Sequence, residues 1–333
     1  MKKLIFLALA AAFFLAASAA ASAENAPTPA PPQNGQAPEN ANAEQLFELG
    51  QKYKKGDGVA KDLDKAFQLY EAAAKQGHVE AQACLGVCYA LGEGTEKDMA
   101  RANELFQSSA AKGSPRGLFN LGVSYDRGLG VPRSLTQAQE YYRAAAEKNF
   151  APAQYNLGMM YERGDGVPQD FESALNWYRR SAERGQVKAQ MRLGSFYYIG
   201  HHVPVNYAEA VKWLRMAAEQ NDTKAQGLLV ACYFKGQGVE KDYVEAFKWA
   251  QRAAADDNAP EIQSALASMY ENGLGTEKDI EKAKEWYARA ARNGDALSAE
   301  KLKSLNEKSP APKRRDPGAD ADTLRSIFGI RRR

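Results

Sequence analysis

The sequence contains few of the residues from which metal and catalytic sites are built. Its 333 residues include three histidines and three cysteines. His78, His201 and His202 form no His-Glu-x-x-His motif, and the cysteines form no Cys-x-x-Cys pair. Metal sites need such residues at coordinating spacings. A glycine-rich phosphate loop after a strand is missing as well. The sequence therefore predicts neither a metal site nor a cofactor.

The sequence also has only one long apolar run, and this run lies near the N terminus. Lys2 and Lys3 precede the run Leu4–Ala17, and Ala21-Ser22-Ala23 offers small residues for cleavage. The run is shorter than the roughly 20 residues that a membrane-spanning helix needs. We therefore expect residues 1–23 to be a cleaved bacterial signal peptide rather than an anchor. The rest of the chain is predicted to be periplasmic or secreted, with no transmembrane segment.

The feature that the sequence has in abundance is repetition. The spacing Leu-Gly-x-x-Tyr, or a close variant, returns every 36 residues, and the last copy arrives one residue late. The seven copies begin at Leu49, Leu85, Leu121, Leu157, Leu193, Leu229 and Leu266. A period of this length is typical of helical repeat proteins, in which each repeat buries its apolar face against its neighbours. Such proteins usually bind partners.

Residues 153–188 illustrate the organisation of one repeat. A first helix is predicted to carry Leu157 and Gly158 on one face, with Gly158 small because another helix comes close. Glycines then turn the chain, and Asp170 is expected to cap a second helix. The second helices carry a column of tryptophans, which we interpret as recurrent core residues: Trp177, Trp213, Trp249 and Trp286.

The columns of this repeat resemble the Sel1-like repeat, a 36-residue relative of the tetratricopeptide helix-turn-helix unit. From Ala153 onward the shared pattern is Ala-x-x-x-Leu-Gly-x-x-Tyr-x-x-Gly-x-Gly-Val-x-x-Asp-x-x-x-Ala-x-x-Trp-Tyr. The resemblance implies an all-α fold, a right-handed α-solenoid of about seven such repeats within residues 43–308, ending in a capping helix. Three departures stand out: Val230 and Ala267 replace the close-packing glycine, and His202 replaces a loop glycine.

In such an array, the cysteines have few possible disulfide partners. Cys84 and Cys88 lie on one predicted helix, where a bond would have to draw Cβ atoms from about 5–6 Å apart to about 4 Å. Their pairing stays open. Cys232 lies four repeats beyond Cys88, farther than the limit of about 7 Å between bridged Cα atoms, so it is expected to be unpaired within one chain.

Some cysteine-rich relatives of this repeat are described as binding or hydrolysing β-lactams, which gives an alternative function. Ser109-Ala110-Ala111-Lys112 fits the pattern Ser-x-x-Lys, but Ser-Asp-Asn and Lys-Thr-Gly are missing. Ser109 and Lys112 also occupy repeat columns. We therefore predict no catalytic residue. The alternative remains a cell-wall protein that binds or hydrolyses β-lactams or peptidoglycan fragments.

The segments on either side of the array differ from it in composition. Residues 24–42 contain five prolines and are predicted to be a disordered linker. Residues 309–333 hold seven Lys or Arg and three Asp, and are predicted to be a basic, disordered tail. Its apolar residues would let the tail dock on a partner or rest at an anionic membrane surface. The net charge of the array is close to zero, so its composition does not indicate a basic surface that would bind nucleic acid.

Binding is predicted on one stripe of the first helices, here called the binding stripe. It consists of the residues two before the Leu, one after the Gly and one or two after the Tyr of each copy, which share one helix face. The resemblance to tetratricopeptide-like folds implies that it lines the concave face. Aromatic and Met side chains offer adaptable apolar contacts, asparagine bonds a peptide backbone, and arginine clamps a carboxylate. With the asparagine and arginine side chains that flank it, the predicted residues are Phe119, Asn120, Arg127, Tyr155, Asn156, Met159, Arg163, Met191, Arg192 and Tyr198.

Together these features predict an exported, non-enzymatic scaffold or regulator. Its partner would be a protein or peptide segment in the cell envelope, captured reversibly in the concave groove. A secreted factor that meets host proteins fits the export signal equally well.

Overall fold

The computed structural model describes residues 40–308, so the predictions for the signal peptide, for most of the linker and for the tail lie outside the described residues. Within 40–308 the chain forms fifteen helices and no strand. The helices are α1 (Ala43–Lys55), α2 (Leu63–Lys75), α3 (Val79–Leu91), α4 (Met99–Ala111), α5 (Pro115–Arg127), α6 (Leu135–Glu147), α7 (Ala151–Arg163), α8 (Phe171–Glu183), α9 (Val187–Ile199), α10 (Tyr207–Glu219), α11 (Thr223–Lys235), α12 (Tyr243–Ala253), α13 (Pro260–Asn272), α14 (Ile280–Arg292) and α15 (Ala296–Lys308). The all-α repeat fold is thus confirmed.

The helices alternate between the two positions of the repeat. Odd-numbered helices from α1 to α13 are the first helices of repeats one to seven, even-numbered helices are the second, and α15 follows as a last helix. The chain divides into two compact units, residues 1–120 and 121–333, and α5 spans the division. No helix among residues 40–308 is both long and apolar enough to cross a membrane.

Each second helix begins at a short polar residue. Asp170 accepts the backbone N–H groups of Glu172 and Ser173, each at 3.1 Å, so the cap predicted from the sequence is confirmed. An N-cap of this kind gives hydrogen-bond partners to N–H groups that the first turn of a helix leaves without one. The same position is filled in the other repeats by Asp62, Asp98, Ser134, Asn206, Asp242 and Asp279.

The glycine of the first helix lets the second helix of the same repeat come close, as predicted. A Cβ atom on Gly158 would lie 2.8 Å from the ring of Tyr178. A Cβ atom on Gly194 would lie 2.6 Å from Leu214. In repeat six the larger Val230 takes the glycine position and the small Ala250 takes that of Leu214, and both belong to one buried cluster. The departure at residue 230 is therefore balanced by volume on the facing helix.

The tryptophan column is only in part a core column. Trp213 and Trp249 are buried, whereas Trp177 and Trp286 are half-buried. The guanidinium of Arg180 lies 4.3 Å from the ring of Trp177, so the outer face of this ring is covered by a cation. The more deeply buried position is one residue later, where Tyr178 is fully buried. In repeat four the tryptophan therefore lies at the edge of the core, and Tyr178 lies within it.

A column of buried glutamines joins successive repeats, and the sequence analysis missed it. Gln190 lies on α9, and its Nε2 donates to the backbone carbonyl of Ala182 near the end of α8 at 3.0 Å. The carbonyl of Ala182 also accepts the backbone N–H of Gly185, so the glutamine bond adds a second partner and ties the end of α8 to α9. Gln154, Gln226 and Gln263 donate in the same way to Ala146, Ala218 and Ala254.

Candidate partner-binding surface

The predicted binding stripe falls in both compact units. Phe119 and Asn120 lie on α5 at the end of the first unit, and both are half-buried. The Nδ2 of Asn120 is buried and has no hydrogen-bond partner among the described residues. Arg127 is the last residue of α5, lies in the second unit and is exposed. The other seven predicted residues lie on α7 and α9, both in the second unit.

On α7, the apolar residues of the stripe are seated on the core with one side exposed. Tyr155 and Met159 are half-buried and pack against a cluster that contains Tyr178, Leu193 and Phe196. The ring centroids of Tyr155 and Tyr178 are 5.6 Å apart. Burial raises the pKa of the Tyr155 hydroxyl. These side chains are held in place before any partner arrives, which lowers the entropic cost of binding.

Two cations of the stripe have different roles in the structure. Arg163 is exposed and forms no ion pair or hydrogen bond with a described residue, so its charge is available to a partner. Arg192 instead donates from Nε and Nη2 to the carboxylate of Glu162. The charge of Arg192 is therefore compensated within the chain, and its guanidinium joins α9 to α7.

The carboxylate that pairs with Arg192 lies in a buried position. Glu162 is only 9% exposed, and it also accepts a hydrogen bond of 2.5 Å from the hydroxyl of Tyr178. Burial by itself raises the pKa of Glu162, but the hydrogen bonds from Arg192 and Tyr178 outweigh burial and lower this pKa below its usual value. No pattern in the sequence pointed to this pair, whose members lie 30 residues apart.

On α9, the remaining residues continue the stripe. Met191 and Tyr198 are half-buried and pack against the large core cluster of repeats five to seven. The hydroxyl of Tyr198 donates to Oε1 of Gln237 at 3.1 Å, and its ring centroid lies 5.5 Å from that of Tyr207. Beside Tyr198, Ile199 is 69% exposed. Asn156, half-buried on α7, completes the set of predicted residues.

A cleft of about 690 Å³ opens beside the stripe, here called the large cleft. It brings Tyr155 and Met191 together at one end and continues along the N-terminal ends of α11 and α13. Lys188 and Lys224 line it, and both are exposed without an ion-pair partner among residues 40–308. Its volume lies in the range of ligand-binding sites. Sequence reasoning did not find these lysines, because they lie outside the stripe columns.

A second cleft of about 340 Å³ lies between α11 and α13, here called the apolar cleft. Gly227 and Ala231 contribute from α11 at stripe positions that the larger Tyr155 and Met159 fill in repeat four, and Phe234 contributes near the end of the helix. This cleft was not predicted, since the sequence analysis favoured repeats three to five. The signal was present in the small residues of repeat six.

The Ser-x-x-Lys segment has no arrangement suited to nucleophilic attack. Ser109 is fully buried, and its hydroxyl donates to the carbonyl of Phe106 at 3.1 Å. The amine of Lys112 donates instead to Oε1 of Gln82. An activated serine needs a base within hydrogen-bond reach and access to substrate. Ser109 is therefore a packing residue of the repeat, and Lys112 is a surface residue whose amine bonds to Gln82.

The cysteines are all buried free thiols. Burial raises the pKa of each thiol, to about 11 for Cys88 and for Cys232. Cys84 accepts a weak hydrogen bond from the amide of Gln51 at 3.7 Å. Among the described residues, no group of three or more His, Cys, Asp or Glu is placed to hold a metal ion.

Comparison with known proteins agrees with this architecture. The sequence model of the family described as Sel1 repeat matches seven segments of the chain: residues 46–78, 79–114, 115–150, 151–186, 187–222, 227–258 and 260–295. No curated protein matches the chain.

Two solved structures share both sequence and fold with the chain. One is c5321, a protective antigen present in uropathogenic Escherichia coli strains and displaying an SLR fold, with 34% identity and a TM-score of 0.69. That match covers 80% of this chain but 57% of the antigen's chain, so this chain spans little more than half of that protein. The other is a Sel1 repeat protein from Oxalobacter formigenes, with 30% identity, a TM-score of 0.61, and 79% and 76% of the two chains covered.

Proposed function

The chain belongs to the Sel1 repeat family, and on that premise we propose that it is a non-enzymatic scaffold that binds a segment of a partner protein along α7 and α9. The observation that carries the proposal is the pairing of preorganised apolar side chains with unpaired cations at one cleft. Tyr155 and Met191 line the large cleft, and Lys188 and Lys224 line it too.

The surface favours a segment with an apolar anchor and a carboxylate. Exposed sides of Tyr155, Met159 and Met191 would bury the anchor, because aromatic and Met side chains dominate adaptable interfaces. Arg163 or a cleft lysine would then meet the carboxylate. Three acidic residues, Asp222, Asp256 and Glu261, line the same cleft. Asp222 and Asp256 accept hydrogen bonds from Ala225 N–H and Thr223 Oγ1, whereas Glu261 is exposed. The carboxylate of a partner is therefore expected at the lysines or at Arg163, away from Glu261.

We further propose that the protein acts outside the cytoplasm, in the periplasm or beyond the cell. The support is the sequence of residues 1–23, whose two lysines, apolar run and small cleavage residues are typical of a signal peptide. The description of the similar Escherichia coli protein as a protective antigen fits a place where a host can meet it. N-terminal sequencing of protein from a bacterial periplasmic fraction should give Glu24 as the first residue, and an intact Met1 there would contradict cleavage.

The binding proposal is tested by capture followed by affinity measurement. Chain 24–333 would be used to capture proteins from envelope extract, and the purified partner would be titrated calorimetrically. A variant with Tyr155→Ala, Met159→Ala and Arg163→Ala should bind at least about tenfold more weakly, since hot-spot truncations cost more than 1 kcal/mol each.

The matched control removes similar exposed side chains away from the stripe. Val205 and Val244 are half-exposed, and Lys248 is exposed and forms an ion pair with Glu245 on the same helix. A variant with Val205→Ala, Val244→Ala and Lys248→Ala should bind as the original chain does. Equal loss in both variants, or none in the stripe variant while circular dichroism shows both folded, would contradict binding at α7 and α9.

A further inference from the structure

The apolar cleft between α11 and α13 has no occupant among the described residues, although its lining suits a packed apolar side chain. Among the ten residues that line it, only Glu261 and Ser268 are polar. Phe234, at one end, is 37% exposed although it is aromatic. Covering apolar surface of this kind is favourable by about 25 cal/mol per Å².

The cleft is open because repeat six has a glycine where repeats four and five have large side chains. Gly227 stands at the stripe position that Tyr155 and Met191 fill in those two repeats. A Cβ atom on Gly227 would lie 2.7 Å from Cδ1 of Ile262. The large side chain of repeats four and five is thus missing, and Ile262 lies in part of its space.

We propose that the C-terminal tail of this chain docks in the apolar cleft, with the side chain of Phe328 or a neighbouring apolar residue as its anchor. Residues 309–333 lie outside the described residues, and their sequence ends in the segment Leu324-Arg325-Ser326-Ile327-Phe328-Gly329-Ile330. Its apolar residues recur at i, i+3 and i+4, the spacing of an apolar face on one helical turn. The proposal goes beyond the partner-binding function and does not depend on it.

The tail starts on the side of the helices where the cleft lies, and it is long enough to reach the cleft. Successive first helices run in the same direction, because one antiparallel second helix separates them. Phe234 and Leu274, which line the cleft, lie near the C-terminal ends of α11 and α13, and α15 ends at the same side with Lys308. The 15 residues before Leu324 span up to about 50 Å when extended, whereas two helix spacings are about 20 Å.

The charge at the cleft itself also fits this occupant. Helix α11 carries Lys224 and Lys235, and helix α13 carries Glu261 and Glu271. Of these four, only Glu261 is among the residues that line the cleft. The tail segment carries Arg325 and the terminal run Arg331–Arg333. Opposite charges of this kind orient a docked segment more than they strengthen it.

The test is photo-crosslinking in the full chain, with p-benzoylphenylalanine in place of Phe328. After irradiation, mass spectrometry should find an intramolecular crosslink to Phe234, Met269 or Leu274, with a yield that does not change on dilution. Phe234→Ser in the cleft, and separately Leu324→Ser with Ile327→Ser in the tail, should abolish most of this crosslink. The control Ile199→Ser removes an exposed apolar residue outside the cleft and should leave the yield unchanged.

The other outcomes overturn the proposal. A crosslink to another helix, or no crosslink, means that the tail does not occupy the apolar cleft. A dimer band that grows with concentration means that a second copy supplies the segment. The tail variants lie outside the repeats, so their effect does not depend on the stability of the array. Loss of partner binding in the stripe variant is measured separately, so the two proposals fail independently.

Discussion

The Nε of Arg192 on α9 lies 3.2 Å from Oε2 of Glu162 on α7, so an ion pair joins the first helices of repeats four and five. Glu162 is buried, and the hydroxyl of Tyr178 on α8 bonds to the same carboxylate oxygen. Three helices therefore meet at one carboxylate directly beneath the proposed binding surface. We expect this network to fix the relative position of Tyr155 and Met191.

Replacing Arg192 should destabilise the array, because it leaves a buried carboxylate with one partner fewer. We expect Arg192→Met to lower the free energy of unfolding by about 1–3 kcal/mol. Urea denaturation followed by circular dichroism would measure it. The control is Arg163→Met, one residue after Glu162 and exposed, which should change this free energy by less than about 0.5 kcal/mol. If both variants changed the free energy of unfolding equally, the ion pair between Arg192 and Glu162 would have no specific effect on stability.

The same carboxylate should make stability depend on pH. The folded-state pKa of Glu162 is lowered, so its charged form contributes stability that is fully present above the unfolded value of about 4.3. This contribution is lost as the pH falls through the lower folded-state pKa. The difference in unfolding free energy between the original chain and Glu162→Gln should therefore be largest at pH 6–7 and shrink below about pH 4. A difference that stays constant down to pH 3 would contradict the assignment.

The volume exchange seen in repeat six should be transferable to repeat five. Gly194→Val alone would overpack against Leu214 and cost about 1–3 kcal/mol. Leu214→Ala alone would leave a cavity and cost about 2–5 kcal/mol. The double variant reproduces the pair Val230 and Ala250, so it should be less destabilised than the sum of the single variants. A double-mutant cycle from urea denaturation measures this coupling, and strict additivity would argue against direct contact.

The thiols should react slowly while the chain is folded. With a pKa of about 11, Cys88 and Cys232 are about 0.1% thiolate at pH 8, whereas an exposed thiol is roughly one quarter thiolate. Ellman's reagent at pH 8 should therefore label the native chain much more slowly than the chain in urea, where three thiols react promptly. Fast labelling of the native chain, or only one reactive thiol in urea, would contradict buried free cysteines.

Local features of the fold could be predicted from the sequence because they depend on residues close together in the chain. The cap at Asp170 needs only the backbone N–H groups of the next turn. The close approach at Gly158 follows from a recurring small residue in a helical column. The glutamine column was missed although it recurs, because a polar residue within a helical pattern is ordinarily expected at the surface.

The binding stripe shows what the sequence could not supply. Spacing placed Arg163 and Arg192 in equivalent roles, yet one is exposed and the other is paired with Glu162. That difference arises from contacts between helices of different repeats, which a column pattern does not encode. The same is true of Lys188 and Lys224, which meet Tyr155 only where four first helices line one cleft.

The sequence by itself determined the period, the two helices of each repeat with their caps, and membership of the Sel1 repeat family, because each depends on short-range chemistry repeated seven times. Only the tertiary structure decided which side chains pair or pack with a neighbouring repeat and which are exposed to solvent. It also decided that the absence of a side chain at Gly227 opens a cleft beside Ile262. Both outcomes depend on how side chains from separate repeats fill the space between helices, and packing of this kind is fixed only when the chain is folded.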